Sequence, residues 1–353
     1  MENNKYYVIG VMSGTSLDGI DICYFELQKY ENWSFKIIKA KTYPYSKSWK
    51  SKLSSSINCS LKELEFIDKE YSQFLSELIG QFISKYNVRD DAIVCSHGHT
   101  VFHNPKEFYT KQIGNRVELK THIKNTIICD FRVQDVKFGG QGAPLVPIGD
   151  KLLFSKYEYC LNLGGFANIS FDKNQTRVAY DICPVNIVLN YLSNFLNLEY
   201  DNNGIESSKG KIIPNLLSQL NSLEYYELEY PKSLGLEWVK KEIFPILDIQ
   251  NNTINDLLRT FTEHIAIKIG YALSASKDAS VLVTGGGAFN TFLMKRISNY
   301  TKHTITIPEV LLIEYKEALI FGLLGILKLR NEVNCLKSVT GAKCNHSSGK
   351  IYR

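Results

Sequence analysis

The chain opens with an apolar strand, a glycine-rich turn and a second apolar strand, and its second half opens the same way. YYVIGV (6–11) leads through MSGTSLDGID into IDICYFEL (20–27). EYCLNLGGFANISF (158–171) repeats the plan around a pair of glycines. Apolar runs of this length bounded by glycine turns read as strands joined in hairpins. Identity between the halves, letter by letter, is negligible. What recurs is the order of apolar and turn residues, which points to a duplicated α/β lobe.

The segments between the hairpins fit that plan. Residues 61–86 carry Leu61, Leu64, Phe66, Ile67, Phe74, Leu75, Leu78, Ile79 and Phe82 at helical spacing. Short apolar strands are expected at 92–96 and 125–131, and KFGGQGAPLVP (137–147) has the composition of a loop. In the second half helices are expected over about 186–196, parts of 205–225, about 253–275, 291–300 and 314–330. A buried strand, SVLVT, runs into the glycines of TGGGAFN (284–290), and the polar tail after Asn331 reads as a loop. The expected division is a lobe of residues 1–132 and a lobe of 133–353. The C-terminal helix or tail is a candidate to return to the first lobe.

Composition removes several function classes. The 41 Lys plus Arg against 36 Asp plus Glu leave a net charge of +5, which over 353 residues is no nucleic-acid footprint. The most apolar run, Ala318 to Leu327, is far shorter than the ~20 residues a membrane helix needs. The start lacks a basic, cleavable apolar leader, so a cytoplasmic protein is expected. Eight cysteines are scattered without a C-x-x-C and read as reduced thiols, several of them inside apolar strands (Cys95, Cys129, Cys160).

Three glycine turns follow apolar strands: SGTSLDG (13–19), NLGGFAN (162–168) and TGGGAFN (284–290). Each is either a plain connection or a cradle whose backbone N–H groups hold phosphate. None matches the P-loop or the dinucleotide fingerprint. Three together favour a nucleotide held between two lobes. Carboxylates stand near the same strand ends: Asp18 and Asp21, Asp130 and Asp135 around Arg132, and Asp181. An Asp there can act as a general base or hold Mg²⁺ through water, or simply cap a turn. Cys95, His97, His99 and His103 are zinc-capable types, but their spacing fits no common closed zinc site. Cys344 and His346 are a weaker version of that pattern, and Cys183 reads as a buried thiol rather than a nucleophile.

These residues resemble the anhydro-N-acetylmuramic acid kinases of the sugar kinase, Hsp70 and actin superfamily. The resemblance rests on IGVMSGTSLDGIDI (9–22), SHGHTVFHNP (96–105), QIG (112–114), DFRVQD (130–135), GGQGAPLVP (139–147), NLGGFANIS (162–170), PKSLGLE (231–237) and TGGGAFNTFLM (284–294). It implies an α/β, two-lobed, actin-like ATPase fold with a central cleft for ATP and Mg²⁺, the metal arriving with ATP rather than in a protein cage. It implies a reaction in which ATP phosphorylates O6 of 1,6-anhydro-N-acetylmuramic acid while water opens the 1,6-anhydro bond. The products are N-acetylmuramic acid 6-phosphate and ADP, in peptidoglycan recycling. Carried over by position, Asp181 is the catalytic base. Gly14, Thr15, Ser16, Leu17, Asp18, Gly19, Ile20 and Asp21 form the first ATP-binding stretch. Gly164 and Gly165 form a second phosphate turn, and Gly285, Gly286 and Gly287 lie near the adenosine. His97, Arg132 and Glu317 are the sugar-side candidates. The implied partner is a small-molecule sugar, with no nucleic acid and no membrane, and a homodimer is possible under the same resemblance.

Departures from the family gather on the sugar side. The family's D-T-G-P-G-N is DICPVN (181–186) here, its SHGQT is SHGHT, and its PKSTG is PKSLG. Bulk at Ile182, Cys183 and Val185 is expected to narrow the site or shift the base. His99 adds a group that can titrate. Two alternatives follow: a kinase of a different anhydro or amino sugar, or a nucleotide-binding regulator of the same fold without turnover.

Overall fold

The computed structural model describes residues 4–14, 17–104, 107, 109–274 and 278–353. The chain divides into two units, Met1–Leu153 with Tyr315–Arg353, and Phe154–Glu314. Residues 133–153 therefore cluster with the first unit. Each unit has its own apolar core.

In the first unit, β1 (Lys5–Ser13) and β2 (Gly19–Lys29) form the hairpin expected from the first glycine turn, with Ser13 opposite Ile20. β3 (Trp33–Pro44) extends the hairpin, and β4 (Ile93–Ser96) lies parallel to β1. A separate hairpin joins β5 (His99–Asn104) to β6 (Tyr109–Ile113), and β7 (Ile127–Cys129) lies parallel to β4. Helix Leu61–Lys85 begins at a capping box in which Ser60 and Glu63 satisfy each other's backbone N–H groups. Its apolar stripe, from Leu64 to Phe82, is buried in the unit's core.

In the second unit, β8 (Tyr159–Leu163) and β9 (Phe166–Lys173) are the second expected hairpin, closed by Gly164 and Gly165. β10 (Thr176–Pro184), β11 (Ser280–Thr284) and β12 (Thr304–Thr306) complete a sheet ordered β10-β9-β8-β11-β12. Helix Ile254–Ala272 starts at Thr253, whose hydroxyl accepts from Asp256 N–H. Helices Asn186–Asn194 and Thr291–Ser298 fall where the periodicity places them.

Helix Val310–Leu329 begins four residues earlier than its apolar period suggests. Its small residues meet the first sheet. A Cβ on Gly10 of β1 would collide with the Ala318 carbonyl, so the backbones approach as only glycine permits. The tail after Asn331 is not a simple loop, as expected from its polarity. It holds helix Lys337–Thr340 and a strand, β13 (Lys350–Tyr352), which pairs antiparallel with β7. The first sheet then runs β13-β7-β4-β1-β2-β3. Among the described residues no helix is long and apolar enough to cross a membrane.

Candidate active site

In the first unit the candidate nucleotide stretch is the β1–β2 connection. Thr15 and Ser16 lie outside the described residues. Leu17 has φ 60° and its N–H points at the Gly14 carbonyl, so the loop turns sharply on a non-glycine residue. Asp18 is exposed. Asp21 accepts from the Thr42 hydroxyl at 2.5 Å. Gly19 runs so close to β3 that a Cβ would meet the Tyr43 carbonyl at 2.6 Å. The Ile20 side chain is in the core, so only its backbone is available to a ligand.

His97 follows β4 and is buried. Its Nδ1 lies 2.8 Å from the Gly98 carbonyl, and Arg132 Nε–H donates to its Nε2 at 2.8 Å. An arginine can only donate. Nε2 is therefore the bare nitrogen and Nδ1 carries the proton. Burial, with the nearby guanidinium, holds the His97 pKa well below its ordinary value, so the ring is neutral. Both ring nitrogens are thereby used inside the protein, and His97 acts on its surroundings by holding Arg132. Arg132 Nη1 also donates to the Gly142 carbonyl at 2.6 Å, in the loop after the short helix Val133–Lys137. Burial lowers the Arg132 pKa to about 10 while the charge of Glu317 raises it, so the side chain stays cationic at neutral pH. The three sugar-side candidates are thus brought together: His97 bonded to Arg132, and Glu317 within its electrostatic reach.

His99, in place of the family's glutamine, opens β5 and is buried, with Nδ1 3.4 Å from Ser13 Oγ. Burial lowers its pKa to about 4. The group that can titrate here therefore does so well below neutrality, because burial leaves too little solvent for the cation. Cys95 is buried in β4, and among the described residues 95–103 bring no metal-ligating group together.

In the second unit Asp181 lies in β10 at an irregularity, where the register with β9 shifts between Asp181 and Cys183. A bulge of this kind re-aims one side chain and leaves the next two facing the same way. Ile182 and Cys183 are buried in the core, as is Val185. Their side chains are packed into the unit's core, and the register shift falls at the base itself. Burial also pushes the Cys183 thiol far up, which makes it inert as a nucleophile.

Residues 231–234 hold Asp181 in place. Leu234 N–H donates to Asp181 Oδ2 at 2.9 Å, Asp181 N–H donates to the Lys232 carbonyl at 3.2 Å, and the Tyr225 hydroxyl donates to the Asp181 carbonyl at 2.6 Å. Burial raises the Asp181 carboxyl above its ordinary value, and the Leu234 N–H bond pulls it back. Lys232 Nζ sits 4.8 Å from the centre of the Tyr225 ring and donates to the Tyr225 carbonyl. The PKS motif had pointed to this segment. Nothing in sequence spacing could reveal that a backbone N–H at 234 reaches a carboxylate at 181.

The two remaining glycine turns adjoin each other. Asn186 Nδ2 donates to the Leu163 carbonyl, and Val185 and Asn186 N–H donate to the Gly165 and Gly164 carbonyls. Gly285, at φ +83°, and Gly287 both back onto Leu163, where a Cβ would come within 2.8 Å. Gly165 and Gly286 differ. A Cβ on Gly165 would meet nothing nearer than Ile187 at 4.0 Å, and one on Gly286 nothing nearer than Asn186 Nδ2 at 3.8 Å. Packing alone asks for no glycine at these two positions. Each leaves open space beside its backbone.

The family model "Anhydro-N-acetylmuramic acid kinase" matches residues 6–353. Curated relatives of that description match over the full length. The protein of Actinobacillus pleuropneumoniae serotype 7 (strain AP76) is 34% identical, with 100% of both chains covered. That of Sulfurovum sp. (strain NBC37-1) is 32% identical, with 99% of each covered. Among solved structures, component A of the (R)-2-hydroxyglutaryl-CoA dehydratase of Acidaminococcus fermentans aligns with 92% of this chain and 99% of that chain, at 12% identity and a TM-score of 0.48.

Proposed function

Because the chain belongs to the anhydro-N-acetylmuramic acid kinase family, we propose that it phosphorylates O6 of 1,6-anhydro-N-acetylmuramic acid with ATP while water opens the anhydro bond. The observation that carries the mechanism is Asp181, whose carboxylate accepts from Leu234 N–H, whose backbone is held by two further hydrogen bonds, and whose burial shifts it towards stronger basicity. Asp181 takes a proton from the water that attacks C1. As the C1–O6 bond breaks, O6 gains the charge that makes it a nucleophile for the γ-phosphorus, and ADP leaves. One base therefore serves both bond changes, and the rest of the catalysis is positioning and charge stabilisation.

In this reading Gly14 to Asp21, Gly164, Gly165 and Gly285 to Gly287 hold ATP. Mg²⁺ supplies neutralisation of the β- and γ-phosphates, and Asp18 and Asp21 are the carboxylates beside the first turn that would hold it through water. Arg132, Glu317 and His97 serve the sugar, His97 through its grip on Arg132. The reading includes cytoplasmic residence and a homodimer that light scattering would test. The lobe boundary, expected near residue 132, is carried here at the unit boundaries 153/154 and 314/315. The alternative of another sugar rested on residues 182–185; the full-length family match favours the family's own sugar. The alternative of no turnover rested on the fold, and the retained Asp181 stands against it.

The test is ADP release from purified protein with Mg-ATP, with and without 1,6-anhydro-N-acetylmuramic acid, beside Asp181→Asn. Release should depend on the sugar and fall by about 10²–10⁴-fold in the variant, the usual contribution of a positioned base. Sugar-independent release, or a variant as active as the parent, would overturn the reading.

A further inference from the structure

We propose that Asp135, Cys335 and His346 form a binding site for a divalent transition-metal ion of the Zn²⁺ type, clipping the C-terminal tail to the short helix that follows Arg132. Asp135 lies on helix Val133–Lys137, while Cys335 and His346 face each other across an isolated antiparallel bridge in the tail. Each of those two residues donates its backbone N–H to the other's carbonyl, at 3.1 and 3.2 Å. This pairing fixes the thiol and the imidazole opposite one another, and Asp135 completes the group. One ligand atom from each of the three lies within 4.8 Å of the other two. Among the described residues this is the cluster of metal-ligating types that meets that criterion.

Two features separate it from an ordinary polar contact. First, it is dry: the exposures are 0% for Asp135, 1% for Cys335 and 7% for His346. Second, His346 Nε2 is buried without a hydrogen-bond partner. The nearest acid, Asp135 Oδ1, is 3.5 Å away, too far for a good hydrogen bond. It is close to the separation of about 3.3 Å between two ligands that each bind a tetrahedral ion at about 2.0 Å. The other ring nitrogen, Nδ1, lies 3.1 Å from the Cys344 carbonyl, and the Phe138 ring stands edge-on to the imidazole. A histidine that donates Nδ1–H to a backbone carbonyl presents the bare Nε2 to a metal, which is the usual outer-shell arrangement. Asp135 is oriented in the same manner, by Thr340 Oγ1–H at 2.8 Å and Gly142 N–H at 2.7 Å, with lone pairs to spare.

One sulfur, one imidazole nitrogen and one carboxylate oxygen are a zinc-type donor set with a fourth, tetrahedral position for water. On binding, the Cys335 thiol gives up its proton to solvent and the thiolate, the carboxylate and the ion sum to neutrality. Binding therefore releases one proton and tightens with pH.

The experiment is a Co²⁺ titration of chelator-stripped, full-length protein, followed by the thiolate-to-cobalt charge-transfer absorption, with Zn²⁺ as competitor. One equivalent should bind, the band should disappear on adding Zn²⁺, and it should be lost in Cys335→Ser and in His346→Gln. Cys344→Ser, which removes the neighbouring exposed thiol, should keep it. Should the two ligand variants fail to fold, X-ray absorption of the Zn²⁺-loaded parent decides. One sulfur at about 2.3 Å with nitrogen and oxygen at about 2.0 Å supports the site. No band in the parent, a band that survives Cys335→Ser or vanishes in Cys344→Ser, or a zinc shell without sulfur overturns it.

Discussion

At the scale of single residues, the glycines of the second unit divide by what faces them. Gly285 has a backbone conformation reserved for glycine, and a Cβ there would meet Asn162 Oδ1 at 2.7 Å. Gly165 and Gly286 have neither restriction. Gly285→Ala is expected to cost about 1–3 kcal/mol of stability, the strain of forcing a side chain into that region. Gly165→Ala and Gly286→Ala should fold with an unchanged melting temperature and raise the KM for ATP, because the added methyl occupies only the open face. Thermal melts beside ATP saturation curves separate the two classes. Equal loss of stability in all three would mean that the open faces are not kept for a ligand. The sequence made the turns legible, because glycine after an apolar run is a local signal. It could not sort them, since the sorting depends on Leu163 and Asn162, more than a hundred residues from Gly285. The same holds for Asp181. Its strand-end position could be read, but its anchor is the N–H of Leu234, and a backbone donor leaves no mark on side-chain identity. For that reason the missing hydroxyl at Leu234 leaves the base's anchor intact.

At the scale of elements, both hairpins and the long helices were legible because their apolar periods are local and strong. β3 was not, because WSFKIIKAKTYP carries Lys36, Lys39 and Lys41 along a half-exposed sheet edge. Lysines protect such an edge from pairing with other chains, and they also hide it from a search for apolar runs. β13 was missed for a different reason: three residues in a polar tail become a strand only because β7 offers an open edge. Helix Val310–Leu329 shows what tight packing demands. Gly10 of β1 lies where any Cβ would strike the Ala318 carbonyl, and neither backbone can retreat without parting the helix from the sheet. Gly10→Ala should therefore destabilise the protein by about 1–3 kcal/mol, the usual overpacking range, with a lower urea midpoint and an unchanged m-value. Gly341→Ala, where a Cβ meets nothing but φ is +77°, separates the two causes. It should lose stability through backbone strain alone, with no steric collision.

At the scale of the whole molecule, buried neutral histidines make both units sensitive to acid. His97 and His99 are buried in the first unit and His264 in the second. Burial holds His97 well below its ordinary value, His99 at about 4 and His264 at about 3. Between the ordinary value of 6.5 and these lowered values the unfolded chain binds protons that the folded chain refuses. Stability must then fall as pH falls through that window. Three such protons set a ceiling of about 4 kcal/mol per pH unit. Asp130 and Asp181 work against this slope near its acid end, since their raised carboxyls take up protons in the folded state first. Glu263, lowered to about 2 by Arg296, Tyr300 and Arg259 despite its burial, adds to the acid loss below 4.5. The melting temperature should fall between pH 7 and 5. His99→Gln, which restores the family's residue, should remove about one of the three protons and flatten that fall by about a third. If His99 were instead solvated and titrated at its ordinary value, it would bind its proton equally in both states, and the variant would leave the slope unchanged. The same substitution should leave the activity profile above pH 6 unaltered. There His99 is already neutral, and the acid limb belongs to Asp181, the base in the proposed mechanism.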